Sequence, residues 1–402
     1  MRIRVEYSSL ACVRALIAVA ASALLGCTEV PREAFTAADQ LSATLPGHAD
    51  ARIWADAPAR DVARMIASPR LSSPGSGEIN ELALSGGGSG GSFAAGLLAG
   101  WSETGKRPEF DVVTGVSTGA LIAPFAFLGQ DYDGLLRAIY TGDEASKLAS
   151  PSITEILGGS GLLDPAPLRQ MIEHYATPEM LVQIAAEHRR GRRLLVVTTN
   201  LDAQRPVLWD LGAIAASGRP DALALFQDVL MASASIPAIF PPVMINAESA
   251  HGSIVEMHVD GGTSTQVYSL PDILVAELPK TAQVRRHVHL WVIVNNTLPA
   301  EFAFTSQAIV PVALRAFSTL MKSQTKGIVT ASYEASLRLG IDFHLAYIDR
   351  SVKYDPSHPF DKAYRDQVYE VGKEEGESGA AWHASPDDLS NEAALGAPQS
   401  RS

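Results

Sequence analysis

Residues 110–128 read Phe-Asp-Val-Val-Thr-Gly-Val-Ser-Thr-Gly-Ala-Leu-Ile-Ala-Pro-Phe-Ala-Phe-Leu, and three local patterns follow one another in them. Phe110 to Thr114 is a short strand-like run. Gly115, Val116, Ser117, Thr118 and Gly119 form a GxSxG turn, and Ala120 to Leu128 is an apolar stretch of helical length. A serine between two glycines, after a strand and before a helix, sits on a bend so sharp that side chains at the flanking positions would collide. Its Oγ is thereby exposed. The helix start adds backbone N–H donors and the positive end of a dipole, which favour an alkoxide or oxyanion. Pro124 works against this reading, because inside a helix it removes one hydrogen bond and is expected to kink the segment at a cost of about 3 kcal/mol.

Two further glycine-marked turns flank this one. Ser85 to Gly91 reads Ser-Gly-Gly-Gly-Ser-Gly-Gly directly after the apolar Leu82, Ala83 and Leu84. Successive glycines at a strand end let backbone N–H groups point into a concavity, as an oxyanion hole or a phosphate site requires. Gly86, Gly88 and Gly91 also satisfy GxGxxG, with Asp111 20 residues beyond Gly91, so nucleotide binding stays open as a rival. The third turn, Asp260-Gly261-Gly262, ends the strand-like run Ile254 to Val259 and is suited to hold a carboxylate at a sharp bend. Leu194 to Thr199, Ser253 to Val259, His289 to Val294 and Phe343 to Ile348 add strands. Pro167 to Tyr175, Pro178 to Arg189, Ala222 to Ser233 and Ser306 to Lys322 add helices. Strand and helix alternate, which is α/β grammar. Val310, Ala313, Phe317, Leu320 and Met321 recur at helical spacing and are expected to pack on the core rather than face a membrane.

Taken together, GGG, GxSxG and DGG in that order, each after a strand, resemble the patatin-like phospholipase family, in particular its bacterial lipoprotein members. The resemblance runs from about Ile79 to at least Ile348. It implies a three-layer α/β/α sandwich around a mostly parallel sheet, spanning residues 77–370. It implies Ser117 as nucleophile and Asp260 as its partner in a dyad. Gly115 and Gly119 would form the elbow, the amides of Gly86, Gly87 and Gly88 an oxyanion hole, and no cofactor or metal would be needed. Residues 232–241, Ala-Ser-Ala-Ser-Ile-Pro-Ala-Ile-Phe-Pro, look like the family's segment that packs beside the site. Gly90 departs from the pattern, since the family usually carries a basic residue there.

Serine hydrolases commonly take the nucleophile's proton with histidine. Among those after Asp260, His287 and His289 share a strand face, His344 lies inside a strand, His358 stands near prolines and His383 falls in the C-terminal stretch. None has a loop suited to the task. His258, two residues before Asp260 on the same strand face, reads as a supporting or core residue. A Ser/Asp dyad is preferred, and it asks burial to raise the aspartate above its usual value of about 3.9.

Composition limits the rest. Of 402 residues, 47% are hydrophobic and 19% charged, which excludes a disordered or collagen-like chain. A net charge of −12 opposes nucleic acid as a partner. Cys12 and Cys27 are too few for a disulfide framework or a cysteine metal site. Arg2, Arg4 and Arg14 precede the apolar run Ala15 to Leu25, which is too short to span a bilayer and has the form of an export signal. It ends Leu-Leu-Gly-Cys, which resembles a bacterial lipoprotein box. Residues 1–26 would be removed and Cys27 lipidated, with Thr28 favouring an outer membrane destination facing the periplasm. Residues 27–76 read as a tether with a loosely packed helix at Ala57 to Ala67, and 371–402 as an acidic disordered tail. The expected activity is hydrolysis of a membrane lipid or fatty ester, of phospholipase A or lysophospholipase character. An acyltransferase with the same dyad and a non-catalytic envelope lipoprotein stay open. Leu97, Leu98 and Trp101, with Ile236, Ile239 and Phe240, are candidates either for acyl-chain walls or for helix packing.

Overall fold

The computed structural model describes residues 32–386, apart from 49, 73–76, 151–160, 272–286, 303, 350–351, 353 and 355–357. The export segment, Cys27 and residues 387–402 lie outside the described residues. Within them, nine strands form one sheet: β1 Arg52–Trp54, β2 Ile79–Leu84, β3 Val112–Val116, β4 Arg193–Asn200, β5 Arg205–Asp210, β6 Val243–Ser249, β7 Gly252–Asp260, β8 Val288–Val294 and β9 Asp342–Tyr347. Its path is β1-β5-β4-β3-β2-β8-β9, and the hairpin β6–β7 joins through β4. The five strands β4, β3, β2, β8 and β9 are parallel, while β5, β1, β7 and β6 enter by antiparallel pairs. Buried on both faces, β2 and β4 read as continuous runs rather than alternating ones.

Eleven helices are used below: α1 Ala37–Ser42, α2 Ala59–Ile66, α3 Gly91–Glu103, α4 Thr118–Leu128, α5 Asp133–Thr141, α6 Ala166–Tyr175, α7 Pro178–Arg189, α8 Leu211–Ala216, α9 Ala222–Ser233, α10 Ile309–Leu339 and α11 Lys362–Ser378. Two apolar clusters cover opposite faces of the sheet. The larger holds α3 to α9 and α11, and the smaller holds α2 and the C-terminal part of α10. The molecule is therefore a three-layer α/β/α sandwich. Pro124 does not break α4, which continues to Leu128. That helix is apolar on all sides and almost wholly buried, so packing outweighs the missing hydrogen bond.

Both terminal expectations need correction. The stretch read as a tether is part of the fold from α1 onward: β1 pairs with β5, and Val62, Ala63 and Ile66 of α2 are buried. The stretch read as a tail begins inside α11, which lies against α3. Gly372 and Gly376 face Gly96 and Gly100 so closely that a Cβ at Gly96 would meet the Tyr369 carbonyl oxygen at 2.0 Å, and one at Gly372 the Phe93 oxygen at 2.3 Å. Two helices approach backbone to backbone there, and glycines that suggest looseness in sequence are what permit it. Beyond α11, Trp382 packs on Trp101 and Trp291 with ring centroids 4.8 Å apart in each case. His383 exchanges two backbone hydrogen bonds with Leu345 at the outer edge of β9.

The α10 segment also departs from expectation. Val329 is buried in the smaller cluster and Tyr333 packs on Phe343, but Val312 and Leu320 in its first half are exposed.

Replacing Gly372 by Leu should overpack the α3–α11 contact and lower unfolding free energy by about 1–3 kcal/mol. Glu370→Leu on the exposed face of α11 should change it by less than about 0.5 kcal/mol. Denaturant unfolding followed by circular dichroism reads both.

Candidate active site

One edge of β4 places the two principal side chains. Its first five residues, Arg193 to Val197, pair with β3, and its last three, Thr198 to Asn200, pair with β7. The opposite edge is taken by β5, so β7 occupies the strip that β3 vacates. Ser117 leaves β3 one residue past the Val116–Val197 pair, and Asp260 arrives in β7 opposite Thr198. They meet at this joint: Ser117 Oγ donates to Asp260 Oδ2 at 2.5 Å, and both residues are buried.

Ser117 has φ 55° and ψ −125°, a strained conformation for a residue with a Cβ. The surroundings enforce it. A Cβ at Gly119 would lie 2.4 Å from the Leu84 carbonyl oxygen, so the turn tolerates no side chain there. The Ser117 amide donates to Ser233 Oγ at 3.0 Å, and Ser233 Oγ donates to the Val197 carbonyl at 2.7 Å. The Asp260 amide donates to the Ser235 carbonyl at 2.9 Å. Residues 232–241 thus hold both halves of the pair, which gives the segment beside the site a physical role. Ser233 was not legible as a site residue, because its partners are set only by the fold.

The Asp260 carboxylate also accepts the Gly262 amide on Oδ1 at 2.6 Å. Burial pushes its pKa up to about 7, against the opposing pull of the Ser117 and Gly262 hydrogen bonds. A carboxyl so placed exchanges protons near neutral pH.

The glycine turn after β2 corrects one expected donor. The Gly86 amide donates to the Gln266 carbonyl at 3.1 Å and is not available to an oxyanion. The amides of Gly87, Gly88 and Thr118 donate to no other described group, and Gly88 and Thr118 line a pocket with Ser117. Thr118, the residue after the serine, was missed, although its place at the first turn of α4 is a signal for it. Gly87 and Gly90 both abut the Asn295 carbonyl oxygen, which a Cβ would meet at 2.1 and 2.2 Å. That contact explains why position 90 carries no basic side chain here. Asn295, at the end of β8, fastens the loop by donating from Nδ2 to the Ser85 carbonyl at 2.9 Å and from its amide to Ser85 Oγ at 2.8 Å.

The histidines lie elsewhere. His258 is fully buried, with Nδ1 at 2.9 Å from Thr198 Oγ1 and Nε2 at 3.2 Å from Glu256, so both nitrogens are engaged away from Ser117. His289 and His344 stack with Trp291 on β8 and β9. His383 stacks on Tyr347 at the far edge of the sheet. Asp111, the acid a dinucleotide site would need, sits at the start of β3, at the opposite end of the strands from the glycine turn. It accepts Arg70 Nε at 2.5 Å and the Asn80 amide at 2.9 Å, and the nucleotide reading falls with that placement.

Leu121, Ile139, Leu148, Met171 and Phe240 give the pocket at Ser117 an apolar wall. A second cavity, bounded by Pro124, Phe125, Tyr175 and Met180, shares Leu121, Ile139 and Met171 with it. Of the candidate walls, Ile236 and Phe240 line the pocket, and Leu97, Leu98 and Trp101 belong to the core. Arg365 also reaches the pocket, but its guanidinium is spent on the carbonyls of Tyr140, Gly142 and Phe360 and on Ser146 Oγ, bracing α11 against α5.

Residues 82–269 match the family model described as patatin-like phospholipase. Among solved structures, the chain is similar to VipD from Legionella pneumophila at 12% identity, over 77% of this chain and 68% of that one, with a TM-score of 0.32. It is similar to the type III effector protein ExoU at 15% identity, over 76% of this chain and 54% of that one, with a TM-score of 0.21. At such scores neither likeness carries an argument. No curated protein matches the chain. The matched segment begins in the strand that delivers the glycine turn and ends just past Asp260, and by it residues 82–269 of this chain belong to the patatin-like phospholipase family.

Proposed function

We propose that the chain is a serine lipid acyl hydrolase working through Ser117 and Asp260. The observation that carries the reading is the 2.5 Å contact between Ser117 Oγ and a buried carboxylate at the mouth of an apolar pocket. Asp260 Oδ2 takes the hydroxyl proton as Ser117 Oγ attacks the ester carbonyl carbon. The carbonyl oxygen becomes an oxyanion, and the amides of Gly88 and Thr118 on the pocket, with that of Gly87 next in the chain, are its candidate donors, since none has another acceptor among the described residues. Collapse of the intermediate expels the alcohol, which leaves with the proton held by Asp260. Water then attacks the acyl-Ser117 ester, giving its proton to Asp260. The second collapse releases the carboxylic acid and returns the proton to Ser117 Oγ.

The apolar pocket and the cavity continuing it suit an acyl chain laid along α4 from Thr118 toward Phe125, a distance of about 10 Å. Lipidation at Cys27 and an outer membrane location facing the periplasm are part of the proposal and rest on the export signal and Leu-Gly-Cys alone. Since the chain is folded from Ala37, a lipidated Cys27 would hold the catalytic domain close to its bilayer.

Ser117→Ala should abolish labelling by a fluorophosphonate probe and turnover of fatty esters, and Asp260→Asn should lower kcat about 10²–10⁴-fold. Full turnover by Asp260→Asn would sink the dyad. Because the base acts as the carboxylate, kcat/KM should climb as pH rises through about 7 and then level off. Stability runs the other way. A carboxyl raised in the folded state favours folding below its unfolded value of about 4, and that advantage is lost as pH rises through about 7. Asp260→Asn should therefore melt above the wild type at pH 8, with the difference closing toward pH 4. Ser233→Ala leaves the Ser117 amide without its partner, so it should lower kcat by about ten- to a hundredfold through a displaced elbow. KM for a soluble ester should change little.

A further inference from the structure

Helix α10 is much longer than the strands beside it. Its 31 residues span about 47 Å, whereas the seven residues of β8 span about 23 Å. Its C-terminal half is fixed to the sheet: Val329 is buried, Ser332 Oγ lies 2.9 Å from Ser269 Oγ and Tyr333 packs on Phe343. Gln324 donates to the Ser264 carbonyl at 2.9 Å, four residues past Asp260, and Lys322 donates to Thr297 Oγ1 at 2.7 Å, just past Asn295. Residues 309–321 therefore project past the sheet at the end where Ser117 lies.

This projection is apolar and exposed. Phe302 is 81% exposed, Phe304 91%, Leu320 69% and Val312 49%. The two phenylalanines precede α10 on a segment held to it, because Lys322 Nζ donates to the Pro299 carbonyl at 2.8 Å and to Glu301 Oε2 at 2.7 Å, and Arg315 donates to the Glu301 carbonyl. From residue 302 to 333 the charged residues are Arg315, Lys322 and Lys326, with no acid, in a chain of net charge −12. Arg32, where the described chain begins, ion-pairs with Asp202 at 2.5 Å on the turn after β4, at this same end of the sheet.

We propose that Phe302, Phe304, Val312 and Leu320 form a bilayer-docking surface that inserts among anionic phospholipids and brings the Ser117 pocket to the membrane. The inference rests on the lipid-hydrolase reading for its purpose, but not for its geometry. Glu301 is offset by Lys322, which leaves Arg315 and Lys326 as the net charge of residues 301–333, and apolar side chains backed by net positive charge are what an interfacial segment presents to a negatively charged lipid surface.

The test uses the full chain carrying Cys27→Ala, so that no acylated cysteine contributes. Flotation with vesicles of phosphatidylethanolamine and phosphatidylglycerol should recover this protein. Phe302→Ser with Phe304→Ser and Leu320→Ser should reduce the vesicle-bound fraction by about tenfold or more. Hydrolysis of monomeric p-nitrophenyl butyrate should stay within about twofold, since none of the three residues touches the pocket. A second variant, Phe304→Trp, should float as before, and its added fluorescence should be quenched by vesicles with brominated acyl chains. Unchanged flotation of the triple variant, or an indole signal from Phe304→Trp that is indifferent to brominated lipid, would overturn the proposal. So would gel filtration showing a dimer that the triple variant converts to a monomer, which would assign the face to a second copy of the chain. Vesicle binding with no ester turnover in the parent protein would refute the hydrolase reading and leave the docking surface standing.

Discussion

The edge of β4 is divided between two strands, and the chemistry of the molecule depends on that division. A parallel strand, β3, holds it as far as Val197, and an antiparallel one, β7, holds it from Thr198. That edge is thereby paired from Arg193 to Asn200, and the Val197 carbonyl at the joint accepts a hydrogen bond from Ser233 Oγ. The C-terminal ends of two strands meet there, β3 at Val116 and β7 at Asp260, and the pairing with β4 fixes the backbone of each. A hydroxyl and a carboxylate separated by 143 residues are brought to 2.5 Å by this register, with the Ser233 hydroxyl and the Ser235 carbonyl locking each backbone in place. The positive φ of Ser117 is sustained because α4, β4 and the glycine turn surround it on all sides.

Sequence patterns revealed this arrangement unevenly, for reasons that differ from residue to residue. Strands β3 and β4 are buried along their whole length and rich in Val and Leu, so they could be read directly, while β7, which is only partly buried and contains Glu256 and His258, was marked by the Asp-Gly-Gly turn at its end. By contrast, β1 is three residues long, and β5 contains Pro206 and two charged residues, which masks its strand character. In β6 the burial alternates, with Val243, Ile245 and Ala247 inward, a period-two signal interrupted by polar residues. Ser117 and Asp260 were legible because each needs a glycine-marked bend. Gly86 was misjudged because whether an amide is free depends on a partner far along the chain, here the Gln266 carbonyl, and composition holds no record of that.

Glycine was misread most at α11. A lone Gly in a polar stretch favours loop over helix by about 1 kcal/mol, and residues 371–380 contain three. Tertiary packing reversed that preference, since Gly372 and Gly376 lie four apart, as do Gly96 and Gly100 on α3, and each pair lets the opposing backbone close in. The consequence reaches the site. α11 carries Arg365, whose guanidinium binds two carbonyls and a hydroxyl across α5 and the loop that follows, and those elements wall the pocket at Ser117. The helix that the tail reading cut at residue 371 is in this way connected to the shape of the pocket.

The proposal that Asp260 acts as sole base raises the question of how one carboxylate is strong enough. A solvated aspartate is a poor acceptor of a serine proton, and a histidine would serve better at neutral pH. Here dehydration does what the second residue of a triad does elsewhere. Asp260 has two protein donors, Ser117 and Gly262, and no ion-pair partner among the described residues, so the anion is stabilised less than in water and its affinity for a proton rises. In the proposed reaction an acyl chain entering the apolar pocket would displace water from the same mouth and strengthen that effect at the moment the proton must move. Under that proposal substrate binding and activation of the base would be one event, and the coupling would favour long apolar substrates over small polar esters through kcat as well as through KM.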